Sequence, residues 1–394
     1  MPSFVRDLSL SSATAGFVAV LVGFTSSVAI VFQAAQAFGA TPGEISSWMW
    51  ALGLGMGLTS LLASLWWRQP VMVAWSTPGA AVLATAGVGY GMADAVGAFL
   101  VCGALITLCG VTGWFERVMN RLPIAIASAL LAGVLARFGI EAFAAARSAL
   151  PLVLLMLASY LLARRWWPRY AVVIVLAVAT AFVAARGELR TEAIQWSLAQ
   201  PVFTMPRFSL EATVSLALPL FVVTMASQNL PGVAAIRAAG YTTMPISKVI
   251  TITGVATLLL APFGAFALNL SAITAAICMG REAHEDPARR YTAAATCGAI
   301  YVVIGLFGAA VTGVLTAFPR ELVVAIAGLA LLGTIGSGLA VALKDEAHRE
   351  PALITFLVTL SGVVIAGIGA AFWGVVAGTI ALLVQQWRRK GLAA

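Results

Sequence analysis

The chain has 394 residues, of which 61% are hydrophobic and only 10% are charged, and its mean hydropathy is +1.00. Soluble domains carry about 25% charged residues, so this composition excludes a water-soluble protein and requires lipid as the solvent. The formal net charge of +8 does not indicate nucleic-acid binding, because the basic residues gather on one side of the membrane in the predicted topology.

Apolar segments of helical length follow one another along the whole chain. A spanning helix needs about 20 apolar residues, whereas the strands of a β-barrel would alternate over segments of about ten residues. The sequence predicts fourteen segments, of which the third and the tenth are interrupted by small and polar residues. In chain order they cover residues 14–38, 45–67, 71–89, 93–115, 122–138, 150–162, 170–185, 212–237, 246–263, 265–280, 291–316, 322–343, 352–368 and 371–387.

The segments divide into two equal halves. Seven precede the polar stretch 186–207 and seven follow it, and residues 189–201 are typical of a linker on the outer face. An odd number of spans per half inverts the second half relative to the first, as in inverted-repeat transporters. The predicted fold class is therefore an all-α polytopic membrane protein with about 14 transmembrane segments in two inverted seven-segment repeats.

The basic residues predict the orientation in the membrane. With the N-terminus in the cytoplasm, seventeen of the 23 Lys and Arg residues lie inside and six lie outside. An excess of Lys and Arg marks the cytoplasmic side, so both termini and the loop around His284 are predicted to be cytoplasmic. The short polar segment 1–12 and the length of the first span argue against a cleavable signal peptide.

The third segment reads VMVAWSTPGAAVLATAGVG from Val71. Its first five residues favour an extended strand, and Ser76, Thr77 and Pro78 then form a typical helix start with a hydroxyl cap and a proline in the first turn. Gly79 follows, and its lack of a side chain leaves the nearby amides open to approach. The alternative is that Pro78 only kinks a continuous helix, since proline is common in membrane helices.

The tenth segment reads AFALNLSAITAAICMG from Ala265. The stretch through Leu270 can be extended, and Asn269 or Ser271 can cap a helix that begins near Ala272. The two interrupted segments enter from opposite sides in the predicted topology, so both half-helices start near the midplane with their N-termini facing each other. Helix N-termini attract anions, which predicts an anion site that needs no Arg or Lys.

Polar side chains at membrane depth are further candidates for the site. They are Ser26 and Gln33 in the first segment and Gln228 and Asn229 in the eighth. Such groups usually face the bundle interior or a cavity, although hydrogen bonding between helices is an alternative. No charged residue lies near the centre of a segment, which argues against a membrane enzyme and leaves proton coupling without an evident side chain.

Neither a cofactor nor a metal site is predicted. The four Cys residues contain no Cys-x-x-Cys pair, and both His residues lie in loops, so no metal-binding spacing exists. His284 lies in the loop GREAHEDPARR from Gly280. It is a candidate for assisting proton release because histidine titrates near neutral pH, and a solvated cytoplasmic turn is the alternative.

The sequence resembles the benzoate–proton symporter family of bacterial inner membranes. The first half carries this resemblance in GFVAVLVGFTSSVAIVFQAAQAFGAT from Gly16, WALGLGMGLTS from Trp50 and AWSTPGAAVLA from Ala74. The second half carries it in ASQNLPGVAAIRAAGY from Ala226, PFGAFALNLSAITAAICMG from Pro262 and EAHEDPARRY from Glu282. The family is similar in architecture to nucleobase and sulfate permeases, which implies a core domain and a gate domain. The core would comprise residues 1–121 and 208–317, and the gate residues 122–207 and 318–394.

The resemblance implies a secondary active transporter that imports benzoate or a similar small aromatic carboxylate with protons by alternating access. Its partners would be that carboxylate, protons and membrane lipid, with no nucleic acid, and a homodimer is one candidate assembly. Phe17, Trp75 and Phe266 are candidates for an apolar wall around the ring. The residues predicted to bind the substrate, from the two half-helix starts and the polar groups at membrane depth, are Ser76, Thr77, Pro78, Gly79, Gln228, Asn229, Asn269, Leu270, Ser271, Ala272, Ser26 and Gln33.

The sequence departs from the related nucleobase transporters, whose eighth and tenth spans supply carboxylates for substrate and proton. The matching neighbourhoods here hold Gln228, Asn229 and Asn269. This difference fits an anionic substrate, which buried carboxylates would repel, and it argues against proton coupling by that route. The alternatives are transport of another anion or of a nucleobase and, from another class, a membrane enzyme or a non-transport membrane protein.

Overall fold

The computed structural model of the protein describes residues 2–25, 27–120, 122–189, 198–307, 318–365 and 370–391. Ser26 therefore lies outside the described residues. The chain is predominantly helical. In chain order the helices are α1 (Pro2–Asp7), α2 (Leu10–Thr25), α3 (Val28–Ala37), α4 (Pro42–Trp67), α5 (Thr77–Ala86), α6 (Met92–Thr112), α7 (Trp114–Met119), α8 (Ile124–Ala144), α9 (Ala146–Trp166), α10 (Ala171–Ala185), α11 (Leu210–Ala238), α12 (Ile246–Leu260), α13 (Ile273–Met279), α14 (Tyr291–Leu306), α15 (Arg320–Ala342), α16 (Arg349–Ser361) and α17 (Ala370–Gly391).

The helices coincide with the apolar segments of the sequence, and each of the fourteen segments contains one or two of them. Within the described residues, seven helices are long and apolar enough to cross a membrane, and shorter apolar helices include α2, α10 and α17. A polytopic helical membrane protein, as predicted from the composition, is therefore confirmed.

The first predicted segment is divided into two helices. Helix α2 ends at Thr25 and α3 begins at Val28. The hydroxyl of Ser27 donates to the carbonyl oxygen of Gly23 at 2.8 Å and accepts the indole N–H of Trp75 at 3.0 Å. A hydroxyl that bonds to the preceding turn competes with the helix ladder, and here it also attaches the break to the third segment.

Helix α11 contains two π-helical turns, Thr213–Ala217 and Met225–Asn229. A π-turn inserts an extra residue into the helix and is frequent at functional sites. The second turn carries Gln228 and Asn229, which the sequence analysis selected for their polarity.

Close helix pairs build the interior. Helix α4 packs against α14, α6 against α12, and α8 against α15. A Cβ atom on Gly57 would lie 2.6 Å from the backbone nitrogen of Val302, and one on Gly53 would lie 2.6 Å from Cα of Gly305. Neither position has room for a side chain, so the G-x-x-x-G spacing on α4 allows the two helix backbones to touch.

Two short strands cross in the centre of this bundle. Strand β1 (Val73–Ala74) pairs antiparallel with β2 (Asn269–Leu270), with Val73 opposite Leu270 and Ala74 opposite Asn269. Helix α5 follows β1 and α13 follows β2. A short strand followed by a half-helix, predicted for the third and tenth segments, is therefore confirmed. Because the strands are antiparallel, the two helices leave in opposite directions and both start at the crossing.

Candidate functional site

The outer edge of β1 is hydrogen-bonded to hydroxyl groups of α4. The N–H of Val73 donates to Oγ of Ser60 at 2.9 Å, and the N–H of Val71 donates to Oγ of Ser64 at 3.1 Å. Both serines are completely buried. Strands inside a membrane cannot exchange these bonds for water, so Ser60 and Ser64 allow an open strand edge to exist at this depth.

The outer edge of β2 is satisfied in the same way from two other helices. The N–H of Leu268 donates to Oγ1 of Thr257 on α12 at 3.1 Å, and the N–H of Leu270 donates to Oδ1 of Asn229 on α11 at 2.9 Å. Asn229 and Leu270 are completely buried. The oxygen of Asn229, predicted to reach the substrate, is thus bonded to the strand and supports the site from behind.

Helix α5 starts with most of its first amides occupied. The N–H of Gly79 donates to Oγ of Ser76 at 3.1 Å, and the N–H of Ala80 donates to the carbonyl of Ser76 at 2.7 Å. Pro78 has no N–H. The amide of Thr77 remains as the one N–H of this turn without an acceptor among the described residues. The predicted hydroxyl cap is present, and it competes with an anion for the same amide.

The cap is in turn held by α11. Oγ1 of Thr224 donates to Oγ of Ser76 at 2.9 Å, and both residues are completely buried. A Cβ atom on Gly79 would lie 2.6 Å from Cδ1 of Leu220 and 2.7 Å from Oγ of Ser76. Gly79 therefore allows α5 to start in direct contact with α11.

Helix α13 starts without a side-chain cap. Ala272 precedes it, and Oγ1 of Thr274 donates to Oγ of Ser271 at 2.7 Å. The N–H groups of Ile273 and Thr274 have no acceptor among the described residues. With only seven residues, α13 has a small dipole, so it offers these individual donors.

Asn269 places an unpaired acceptor beside these donors. Its Nδ2 donates to the carbonyl of Ala267 at 2.9 Å, and its Oδ1 has no hydrogen-bond partner among the described residues. The side chain is completely buried. Directly opposed residues of an antiparallel pair project to the same face, so Asn269 shares a face with Ala74, which is only half-buried. A buried unpaired acceptor costs about 1–3 kcal/mol, and a ligand that donates a hydrogen bond would remove that cost.

The remaining candidates differ in their position. Gln228 is half-buried on the second π-turn, and its side chain has no hydrogen bond among the described residues. Gln33 lies on an exposed face of α3. Trp75 and Phe266, expected in an apolar wall, are buried in aromatic contacts, at centroid distances of 5.7 Å to Phe24 and 5.7 Å to Trp48.

A cavity of about 560 Å³ opens near this region, and we refer to it as the vestibule. Its walls come from α8, α9, α11, α13 and α15 and from the loop 280–290. Leu131, Ala235 and Ala276 are among its apolar lining residues, and five lining residues are charged. The charged residues are Arg164, Arg281, Glu282, Glu285 and Arg290.

The loop 280–290 is fixed by Arg290, which is 7% exposed. Its guanidinium donates to the carbonyls of His284 at 2.7 Å, Met279 at 2.9 Å and Glu285 at 3.3 Å. The Met279 carbonyl belongs to the last turn of α13, where a cation is favourable. Arg290 therefore ties the loop to the end of the half-helix.

His284, the candidate for proton release, is part of the same compact turn. It is 7% exposed, and its Nδ1 accepts the N–H of Asp286 at 3.0 Å. Nearby, the hydroxyl of Tyr241 donates to the carbonyl of Pro287 at 2.9 Å, and burial raises the pKa of Tyr241 to about 12. His284 is thus buried within the turn, while Glu285 and Asp286 are exposed, so proton release and a solvated cytoplasmic turn both stay predictions for this loop.

Comparison with known proteins identifies the family. The family model described as Benzoate membrane transport protein matches residues 6–384. The chain belongs to this family. A benzoate membrane transport protein of Acinetobacter baylyi is 38% identical over 379 residues, which is 96% of both chains. The inner membrane protein YdcO of Escherichia coli K12 is 48% identical over 370 residues, which is 94% of both chains.

A solved structure supports the same fold. The structure of SLC26A9 matches with a TM-score of 0.51 at 12% identity, over 97% of this chain. The chain spans 66% of the length of SLC26A9. Members of the benzoate membrane transport family are transporters, so the protein is a multi-pass inner-membrane transporter, and the alternative of a membrane enzyme is excluded.

Asn229 and Gln228 are neighbours with separable roles. We expect Asn229→Leu to destabilise the protein by about 1–3 kcal/mol, because the buried N–H of Leu270 loses its acceptor. Gln228→Leu removes no hydrogen bond seen among the described residues, so its unfolding temperature should stay near that of the parent. Thermal unfolding of both variants in detergent, followed by size-exclusion chromatography, measures this difference. Equal stability of the two variants would contradict the bracing role of Asn229.

Proposed function

We propose that the protein imports benzoate or a similar small aromatic carboxylate together with protons by alternating access. The observation that carries this proposal is membership of the benzoate membrane transport family, with a relative of that name aligned over 96% of both chains. The second candidate is transport of another anion, because the unpaired amides of Thr77 and Ile273 can donate to any small anion.

We further propose fourteen spans in two inverted repeats. In such a repeat, span n of the first half corresponds to span n + 7, so α4 corresponds to α12 and α6 to α14. This correspondence maps the contact between α4 and α14 onto a contact between α12 and α6, and both pairs of helices are in contact. The hydroxyl groups that support the strands correspond in the same way. Ser60 and Ser64 on α4 support β1, and Thr257 on α12 supports β2.

The proposed core comprises residues 1–121 and 208–317, and the proposed gate comprises residues 122–207 and 318–394. The strand crossing lies entirely within the core, whereas the vestibule is lined from both divisions. This arrangement supports alternating access, because a movement of the core against the gate would move the crossing relative to the gate residues that line the vestibule.

The substrate carboxyl is proposed to lie at the crossing, near Thr77, Asn269 and Ile273. The unpaired amides of Thr77 and Ile273 can donate to an oxygen of the ligand. The unpaired Oδ1 of Asn269 cannot bond to a carboxylate, which only accepts, but it can accept the O–H of a protonated carboxyl. The proton would then travel on the substrate, which accounts for symport without an ionisable side chain at the crossing.

Uptake into proteoliposomes tests the function directly. We expect labelled benzoate to accumulate when the lumen is alkaline, and labelled uracil and sulfate to stay at background. Protein-free liposomes are the essential control, because neutral benzoic acid crosses lipid unaided. Gly79→Leu, whose side chain would meet Ser76 and Leu220, is the matched inactive variant. Uptake of sulfate or uracil in preference to benzoate would replace the proposed substrate.

Calorimetry tests how the proton is carried. At neutral pH we expect benzoate binding to take up about one proton per ligand, measured in buffers of different ionisation enthalpy. Benzamide has both a donor and an acceptor and should bind with an affinity independent of pH. Asn269→Leu should weaken both ligands at least about tenfold, the factor that corresponds to about 1.4 kcal/mol. Tight benzoate binding without proton uptake would show that Asn269 does not accept a proton from the substrate.

Cysteine labelling tests the proposed orientation, with both termini and the loop around His284 in the cytoplasm. The four native cysteines are buried, so introduced cysteines can be read against a low background. In intact cells we expect an impermeant maleimide to label Glu188→Cys and not Glu285→Cys. The reverse pattern would invert the topology, and permeabilised cells, in which both positions react, provide the control.

A further inference from the structure

Glu282 lies on the loop 280–290 at the edge of the vestibule and contacts two elements of the proposed gate. Its Oε1 accepts a hydrogen bond from Nη1 of Arg164 on α9 at 2.5 Å. A Cβ atom added to Gly333 on α15 would lie 2.8 Å from the same oxygen. The Glu282 side chain is 10% exposed, whereas that of Arg164 is 44% exposed.

This ion pair differs in position from the others of the described residues. Arg207, which lies outside any helix at the end of the gate range 122–207, pairs with Asp94 on α6. The remaining pairs lie within the proposed core or within the proposed gate. Arg164 and Glu282 thus form the one ion pair of the described chain that joins a gate helix to the core. A carboxylate as buried as Glu282 depends on its partner, because separation would leave an unpaired charge in a low dielectric.

The core side of the pair is mechanically connected to the strand crossing. Arg290 bonds the loop to the carbonyl of Met279, the last residue of α13. Helix α13 continues directly from β2, which is paired with β1. Because Arg290, Met279 and both residues of β2 are buried, a displacement of the crossing would carry the loop, and Glu282 with it, relative to α9 and α15.

We propose that the Arg164–Glu282 pair is an interdomain contact that stabilises the vestibule-open conformation and must separate during each transport cycle. The inference rests on the division into core and gate under the proposed function, and it does not depend on the identity of the substrate. Breaking the pair shifts the population away from the vestibule-open conformation, and restoring opposite charges in exchanged positions returns it.

Accessibility of the vestibule measures this population. Val341 lines the vestibule and is 39% exposed, so Val341→Cys reports its opening in purified protein. Val88→Cys, at a position 71% exposed and outside the vestibule, reports general reactivity. Rates of maleimide labelling are compared between these sites in the full-length protein without substrate.

We expect Arg164→Gln and Glu282→Gln each to slow labelling of Val341→Cys by about three- to tenfold, as for loss of a partly buried pair. The double variant Arg164→Glu with Glu282→Arg should restore the parental rate. Arg165→Gln and Glu285→Gln are the matched controls, since each removes a neighbouring exposed charge. Neither control should change the rate.

Three results would overturn the proposal. The first is unchanged labelling in both single variants, and the second is faster labelling, which would make the pair a barrier across the vestibule. The third is slower labelling that the exchanged pair fails to restore. Size-exclusion profiles and the rate at Val88→Cys identify variants that have lost their fold. Because no ligand enters this measurement, failure to transport benzoate leaves its outcome unaffected.

Discussion

The strand crossing imposes the constraint on which the rest of the structure depends. Two open strands at membrane depth expose backbone N–H groups that water cannot satisfy. Four of these groups are bonded to side chains of three separate helices, through Ser60, Ser64, Thr257 and Asn229. The surrounding helices must therefore stand at fixed distances from the strands, and glycines of α4 and α14 allow those two helices to touch. These buried polar side chains therefore serve first to satisfy the non-helical backbone of the two strands.

The side chains that satisfy the strands bring polar groups to the crossing, and none of them carries a charge. Among the described residues, the crossing offers a few free amides, one free amide oxygen and the half-buried Gln228, and no acid or base lies there. A fixed ion in the same place would require its own counter-ion and a large desolvation cost. A neutral polar site releases its ligand more easily than a charged one, which suits a transporter that must both bind and let go.

Charged residues line the vestibule, and among them Arg290 is buried. Arg290 joins the end of α13 to the loop, and Glu282 joins the loop to α9. The proposed site and the proposed surface between core and gate are thus separated by a half-helix of seven residues. Elements that are packed together in this way move as units, because buried contacts switch between discrete arrangements and do not deform gradually.

The sequence by itself determined the membrane class, the position of the helices and the two interrupted segments, because apolar length and cap residues act locally. It also selected Asn269 and Asn229 from their polarity at membrane depth. It could not assign them different roles, since the free oxygen of Asn269 and the bonded oxygen of Asn229 depend on residues about 40 positions apart. Ser60, Ser64 and Thr257 were missed because isolated hydroxyls are common in membrane helices, although the i, i+4 spacing of the two serines was a usable signal. Only the tertiary structure decided which polar groups face a strand, which remain open to a ligand, and that Glu282 meets Arg164 across 118 residues, because these distances arise from packing between distant segments.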